Sequence, residues 1–87
     1  MLFRSLDGNT SIGYAAGFSR PGGTNANYSQ STYIGNNTQP NSLGETNQIV
    51  IGANAIGNGS NTATLGDDNV TDVYLSEDAG GIVHAGN

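Results

Sequence analysis

The chain has no cysteine, no tryptophan, one histidine, two prolines and only two cationic side chains, Arg4 and Arg20, among 87 residues. Each shortage excludes something. Without cysteine there is neither a disulfide framework nor a thiolate zinc site. Two isolated arginines against seven carboxylates leave a net charge of −5. Nucleic acid needs clustered Lys or Arg, so DNA and RNA are excluded as partners, and anionic lipid head groups with them. The longest apolar stretch, Ile49 to Gly57, is broken by Asn54 and falls far short of a bilayer span, so no membrane insertion is expected. The opening residues Met1 to Asp7 lack the extended apolar region of a secretory signal. The expectation is assembly without that export route, or a segment of something longer.

What the chain does contain is Gly, Asn, Ser and Thr, about half of all residues. Leu, Ile and Val number 15, several alone among polar neighbours. A core of that size supplies about 3–5 kcal/mol at most, and chains this small add disulfides, a metal or oligomerisation. With cysteine absent, oligomerisation is the expectation. Gly and Asn tolerate the left-handed backbone that repeated tight corners demand, so the composition suits a turn-rich β architecture.

No window carries the i, i+3, i+4, i+7 periodicity of a helix. Short extended stretches recur instead, each closed by an aliphatic residue and then glycine. They are Thr10-Ser11-Ile12-Gly13, Ser31-Thr32-Tyr33-Ile34-Gly35, Gln48-Ile49-Val50-Ile51-Gly52 and Thr62-Ala63-Thr64-Leu65-Gly66. A fifth, Asp72-Val73-Tyr74-Leu75-Ser76, keeps the strand pattern without the glycine. Aligned on the aliphatic residue they are spaced by 22, 17, 14 and 10 residues, an irregular internal repeat. The two-residue period of a strand puts Thr10/Ile12, Thr32/Ile34, Ile49/Ile51, Ala63/Leu65 and Val73/Leu75 on one face. That more aliphatic face is predicted to point inward. The intervening Ser11, Tyr33, Val50, Thr64 and Tyr74 then point outward, with Tyr33, Val50 and Tyr74 forming a subunit seam. The glycine after each strand is read as a corner that a β-carbon would obstruct.

The expected organisation is one all-β unit over 1–87, with repeats over about 9–76. Two loops, 17–30 and 36–47, are predicted to carry any recognition surface, and a Gly- and Ala-rich tail fills 77–87. Phe18, Arg20 and Tyr28 in the first loop are the residue types that anchor interfaces.

The block Ile51-Gly52-Ala53-Asn54-Ala55-Ile56-Gly57-Asn58-Gly59-Ser60-Asn61-Thr62-Ala63-Thr64-Leu65-Gly66 resembles the head repeats of trimeric autotransporter adhesins, which also occur in phage tail-fibre and virion structural proteins. The resemblance covers roughly residues 9 to 76. It implies a left-handed parallel β-roll, a β-solenoid-like fold, with three chains packed as a homotrimer. By the same resemblance the chain is expected to be a structural or adhesive part of a phage tail fibre or virion appendage, a spacer or a contact with a host receptor or glycan. Its implied partners are its own copies and other fibre or tail proteins. The chain shows no export signal or C-terminal anchor of an autotransporter, which places the expectation on the virion. The alternatives are a bacterial adhesin head or a subunit of an extracellular filament.

Catalytic constellations are missing. His84 is the only histidine and stands in the tail; Gly57-Asn58-Gly59-Ser60-Asn61 misses the Gly-x-Ser-x-Gly nucleophile pattern. Three His84 side chains on a trimer axis could ligate a metal, yet an ordinary exposed histidine is the simpler reading. Asp67, Asp68, Asp72, Glu77 and Asp78 gather charge, but at spacings that fit neither an EF-hand nor a calcium-binding nonapeptide roll. They are read as solvated turn carboxylates, with no cleft to tune a glycosidase pair. Thr62-Ala63-Thr64 occurs once, too rarely for an ice-binding ladder. Asn-x-Ser/Thr sequons at Asn9, Asn27, Asn36, Asn58 and Asn69 follow from composition. No enzyme activity, catalytic residue, metal ligand or cofactor is expected.

Overall fold

The computed structural model describes residues 3–4, 8–17, 30–42 and 44–86. Those residues form no helix. Five strands make one sheet in chain order: β1 (Phe3–Arg4), β2 (Thr10–Ile12), β3 (Thr32–Ile34), β4 (Ile49–Ile51) and β5 (Ala63–Leu65). β1 lies antiparallel to β2, and β2 to β5 are parallel. The register is the one the aliphatic alignment predicts: Ile12 faces Ile34, Ile34 faces Ile51, and Ile51 faces Leu65.

Parallel neighbours this close in sequence require the chain to return after every strand, and the corners show how it does so. Immediately after each parallel strand stands a glycine with left-handed φ: Gly13 (125°), Gly35 (129°), Gly52 (125°) and Gly66 (92°). A β-carbon on Gly13 would lie 2.9 Å from the Gly35 carbonyl carbon, and one on Gly52 would lie 2.9 Å from the Gly66 α-carbon. Backbone meets backbone at this edge, so only glycine fits. Two residues further on, Ala15, Asn37 and Asn54 are again left-handed. Two residues before each strand, Gly8, Gln30, Asn47 and Asn61 are too. The asparagines at these sites stack by side chain: Asn37 Nδ2 donates to Asn54 Oδ1 at 3.2 Å, and Asn47 Nδ2 to Asn61 Oδ1 at 2.9 Å.

A second line of parallel contacts runs beside the sheet. Gly17 N donates to Thr38 O, Gln39 N to Ala55 O, and Gly57 N to Gln39 O, at 2.7, 3.0 and 2.8 Å. The core lies between the two lines and contains Ala16, Tyr33, Val50 and Ala55. The gap is narrow. The Tyr33 ring closes on Gly17, whose β-carbon would sit 2.8 Å from Tyr33 Cδ2, and the Gln48 side chain occupies the place a Gly57 β-carbon would take.

The structure reverses the predicted facing of the strands. Ser11, Tyr33 and Val50 are buried and Thr64 is half-buried, while Ile12, Ile34 and Ile51 are half-buried and Leu65 is 51% exposed. The physical reason is polar pairing on the buried face. Asn9, Ser31 and Gln48, which alternate onto the same side as Ser11, Tyr33 and Val50, are buried. Asn9 Oδ1 accepts from Ser31 N at 2.9 Å, and Ser31 Oγ accepts from Gln48 N at 3.1 Å. Asn9 and Ser31 thus occupy the interior while capping backbone donors there, and Gln48 is tied in through its backbone N.

Two further expectations are corrected. The predicted fifth repeat strand over Asp72–Ser76 does not form; Val73, Tyr74 and Leu75 are 56, 70 and 60% exposed. Val70 folds onto Gly66, in the place where a following strand's corner would stack. The segment 36–47 is not a loop thrown clear of the scaffold. Thr38 and Pro40 in it are buried, and Gln39 bridges Ile56.

Candidate interaction surfaces

The alternation that buries Tyr33 and Val50 necessarily turns Ile12, Ile34, Ile51 and Leu65 to the other side of the sheet. The register aligns these four in one row. A second row beside it consists of Thr10, Thr32, Ile49 and Ala63, in which Ile49 is 42% exposed. The more aliphatic face of the sheet is therefore its outer face, with Ile12, Ile34 and Ile51 half-buried and Leu65 exposed. The predicted seam residues are elsewhere: Tyr33 and Val50 lie in the core, and Tyr74 stands outside any strand. Strand alternation was the correct signal for this surface, read with the wrong sign.

No family model, curated protein or solved structure matches the chain.

The second feature is a half-open depression of about 420 Å³ where the chain leaves β5. Asn54, Ile56, Asn58, Thr64, Asp67 and Asp68 line it. Asn58 Nδ2 donates to Thr64 Oγ1 at 2.9 Å, tying a turn residue to the last strand. Asp67 accepts from Asn69 N and Asn69 Nδ2, each at 3.0 Å; the backbone bond first and the side-chain bond second hold its carboxyl below the usual range. The depression was not foreseen. Its residues come from positions 54 to 68 of two repeats, and sequence spacing carried no signal that they converge.

The rest of the acidic group stays dispersed. Asp78 accepts from Gly80 N at 2.9 Å and Ser76 Oγ at 3.0 Å, which lower its pKa in that order, and Thr71 donates to Asp72 at 3.2 Å. Glu77 and His84 are exposed. Among the described residues no three His, Asp or Glu side chains come together as a metal site. No described helix is long and apolar enough to cross a membrane. Phe18, Arg20 and Tyr28 lie outside the described residues.

Glu45 makes a different kind of contact. Its Oε1 accepts from Ser60 N at 2.7 Å and Ser60 Oγ at 2.6 Å, and its Oε2 accepts from Ser42 Oγ at 2.6 Å. Ser60 Oγ also accepts from Thr46 N at 3.0 Å. These bonds clasp the connection before β4 to the connection before β5. Hydrogen bonding to Ser42, then to Ser60, depresses the Glu45 pKa.

Proposed function

We propose that this chain is a segment of an oligomeric fibre: a left-handed parallel β-roll, three copies of which pack side by side. It serves a phage tail fibre or similar virion appendage as spacer or host-contact module. The observation that carries the reading is the row Ile12, Ile34, Ile51 and Leu65 on the outer face of the sheet. With a core that, among the described residues, holds two small alanines, one tyrosine and one valine, the chain gains little from folding alone. Placing its larger aliphatic row outside makes sense when neighbouring copies cover it, since burying the remaining exposed half of each side chain then adds about 1 kcal/mol apiece. The resemblance of residues 51–66 to fibre and adhesin head repeats supports the same arrangement. In this reading the chain turns over no substrate and needs no metal or cofactor. Its partners are its own copies, adjoining fibre proteins and a host surface.

Sedimentation and native mass measurement at micromolar concentration test it. The expected result is a trimer that Ile34→Asp converts to smaller species. A folded wild-type monomer would overturn the proposal. The same block of repeats also suits a bacterial adhesin head or an extracellular filament subunit. Electron microscopy of the isolated chain separates the latter, which would form head-to-tail polymers.

A further inference from the structure

The depression beyond β5 has a chemical character distinct from the aliphatic row. We propose that it is a binding site for a neutral saccharide, an inference that rests on the host-contact reading and gives it a ligand class. Three observations carry it.

The first is the mix of groups. Saccharide hydroxyls both donate and accept, and a site for them needs both kinds of partner. Asn54 Oδ1 already accepts from Asn37, which leaves the Asn54 amide hydrogens as donors. Asn58 spends one hydrogen on Thr64 Oγ1, which leaves its Oδ1 as acceptor and the Thr64 hydroxyl hydrogen as donor. Carboxylates at Asp67 and Asp68 accept from vicinal hydroxyl pairs, and Ile56, 46% exposed, offers an apolar contact to the C–H face of a ring.

The second is preorganisation. Asp67 is held by both bonds from Asn69, Asn58 by Thr64 and Asn54 by Asn37. For these three side chains little freedom is lost when a ligand arrives, which is where weak polar sites usually fail.

The third is charge. Among the described residues no cationic side chain lines the depression, and its two aspartates repel carboxylate, sulfate and phosphate. Sialylated and sulfated saccharides are therefore disfavoured. A volume of about 420 Å³ lies in the range of small-molecule sites and accommodates one or two sugar rings. Three copies in a trimer would present it three times, which raises the avidity of a weak single site.

The test is a printed array of neutral and acidic oligosaccharides probed with the full 87-residue chain, alongside Asn58→Ala and Asp68→Ala. Circular dichroism melting and sedimentation are measured on each preparation. The expected result is binding to neutral oligosaccharides that weakens at least about tenfold in either variant, with melting and assembly unchanged. Three results would overturn it: no neutral saccharide bound by a properly assembled chain, a preference for acidic ones, or variants that bind as the parent does. A chain that fails to assemble strikes at the fibre reading instead, and binding by the monomer would still support the site.

Discussion

A β-carbon placed on Gly35 would stand 2.9 Å from the carbonyl carbon of Gly52, and the Gly35 φ is 129°. Stacking of successive repeats thus leaves no room for a side chain at this corner, and the backbone there is one that L-residues rarely adopt.

Gly35→Ala should destabilise the fold by about 2–4 kcal/mol, combining overpacking with left-handed strain. Gly86→Ala, which meets nothing within 4 Å, should be neutral. Thermal unfolding of the two variants provides the comparison, and similar melting temperatures would refute the close approach.

The two strand faces make opposite predictions for neighbouring residues. Val50→Asn should lower stability at every protein concentration, because it loses about 1.5–3 kcal/mol of burial and inserts an amide into the core. Ile51→Asn should act mainly through assembly, so its melting temperature should recover as concentration rises. Melting curves over a hundredfold dilution series distinguish them. Identical concentration dependence would mean that the faces are not separate in role.

Gln48 has both side-chain amide atoms buried without a hydrogen-bond partner among the described residues, although its backbone N is bonded to Ser31 Oγ. Replacing the amide by an apolar group of similar shape removes that cost. Gln48→Met should therefore raise stability by about 1–2 kcal/mol. A clear loss in denaturant titration would indicate that the amide has a role the fold depends on.

Glu45 sets a pH dependence. Its pKa is lowered in the folded chain, so its contribution is present above the ordinary glutamate value of 4.5 and is lost as pH falls through the folded value. Asp67 and Asp78 act with the same sign. Melting temperature should fall on acidification below 4.5, and Glu45→Gln should flatten part of that fall. An unchanged acid profile in Glu45→Gln would show that the clasp to Ser60 does not stabilise the fold.

The parallel register was legible in the sequence because an aliphatic residue followed by glycine marks the same place in every repeat. Ile12, Ile34, Ile51 and Leu65 pair as that mark implies. Their facing was not legible. A two-residue period separates the faces but does not say which is covered by the chain and which by something else. The polar residues Asn9, Ser31 and Gln48 held the answer, since they share a face with Tyr33 and Val50. The bonds of Asn9 and Ser31 to the stacked backbone mark that face as the covered one, and no sequence pattern announces them. Val73-Tyr74-Leu75 shows the converse error. Its pattern matches a strand, yet without the following glycine, and with Val70 seated on Gly66, no further repeat stacks there. The depression at Asn58 and Asp68 depends on that same departure of the chain after β5, which no local pattern announces.

The left-handed residues recur at fixed distances from each strand, two before it and one after it, whatever the spacing between strands. Ile12 to Ile34 spans 22 residues, Ile34 to Ile51 spans 17 and Ile51 to Leu65 spans 14, but the pairing never slips. Length variation is therefore confined to the returning side of each repeat, away from the hinges that set alignment. Doubling such a connection costs only about 0.6 kcal/mol in closure entropy. Segments can lengthen, shorten or be exchanged there while the strands keep their partners, so the scaffold can be varied without being rebuilt.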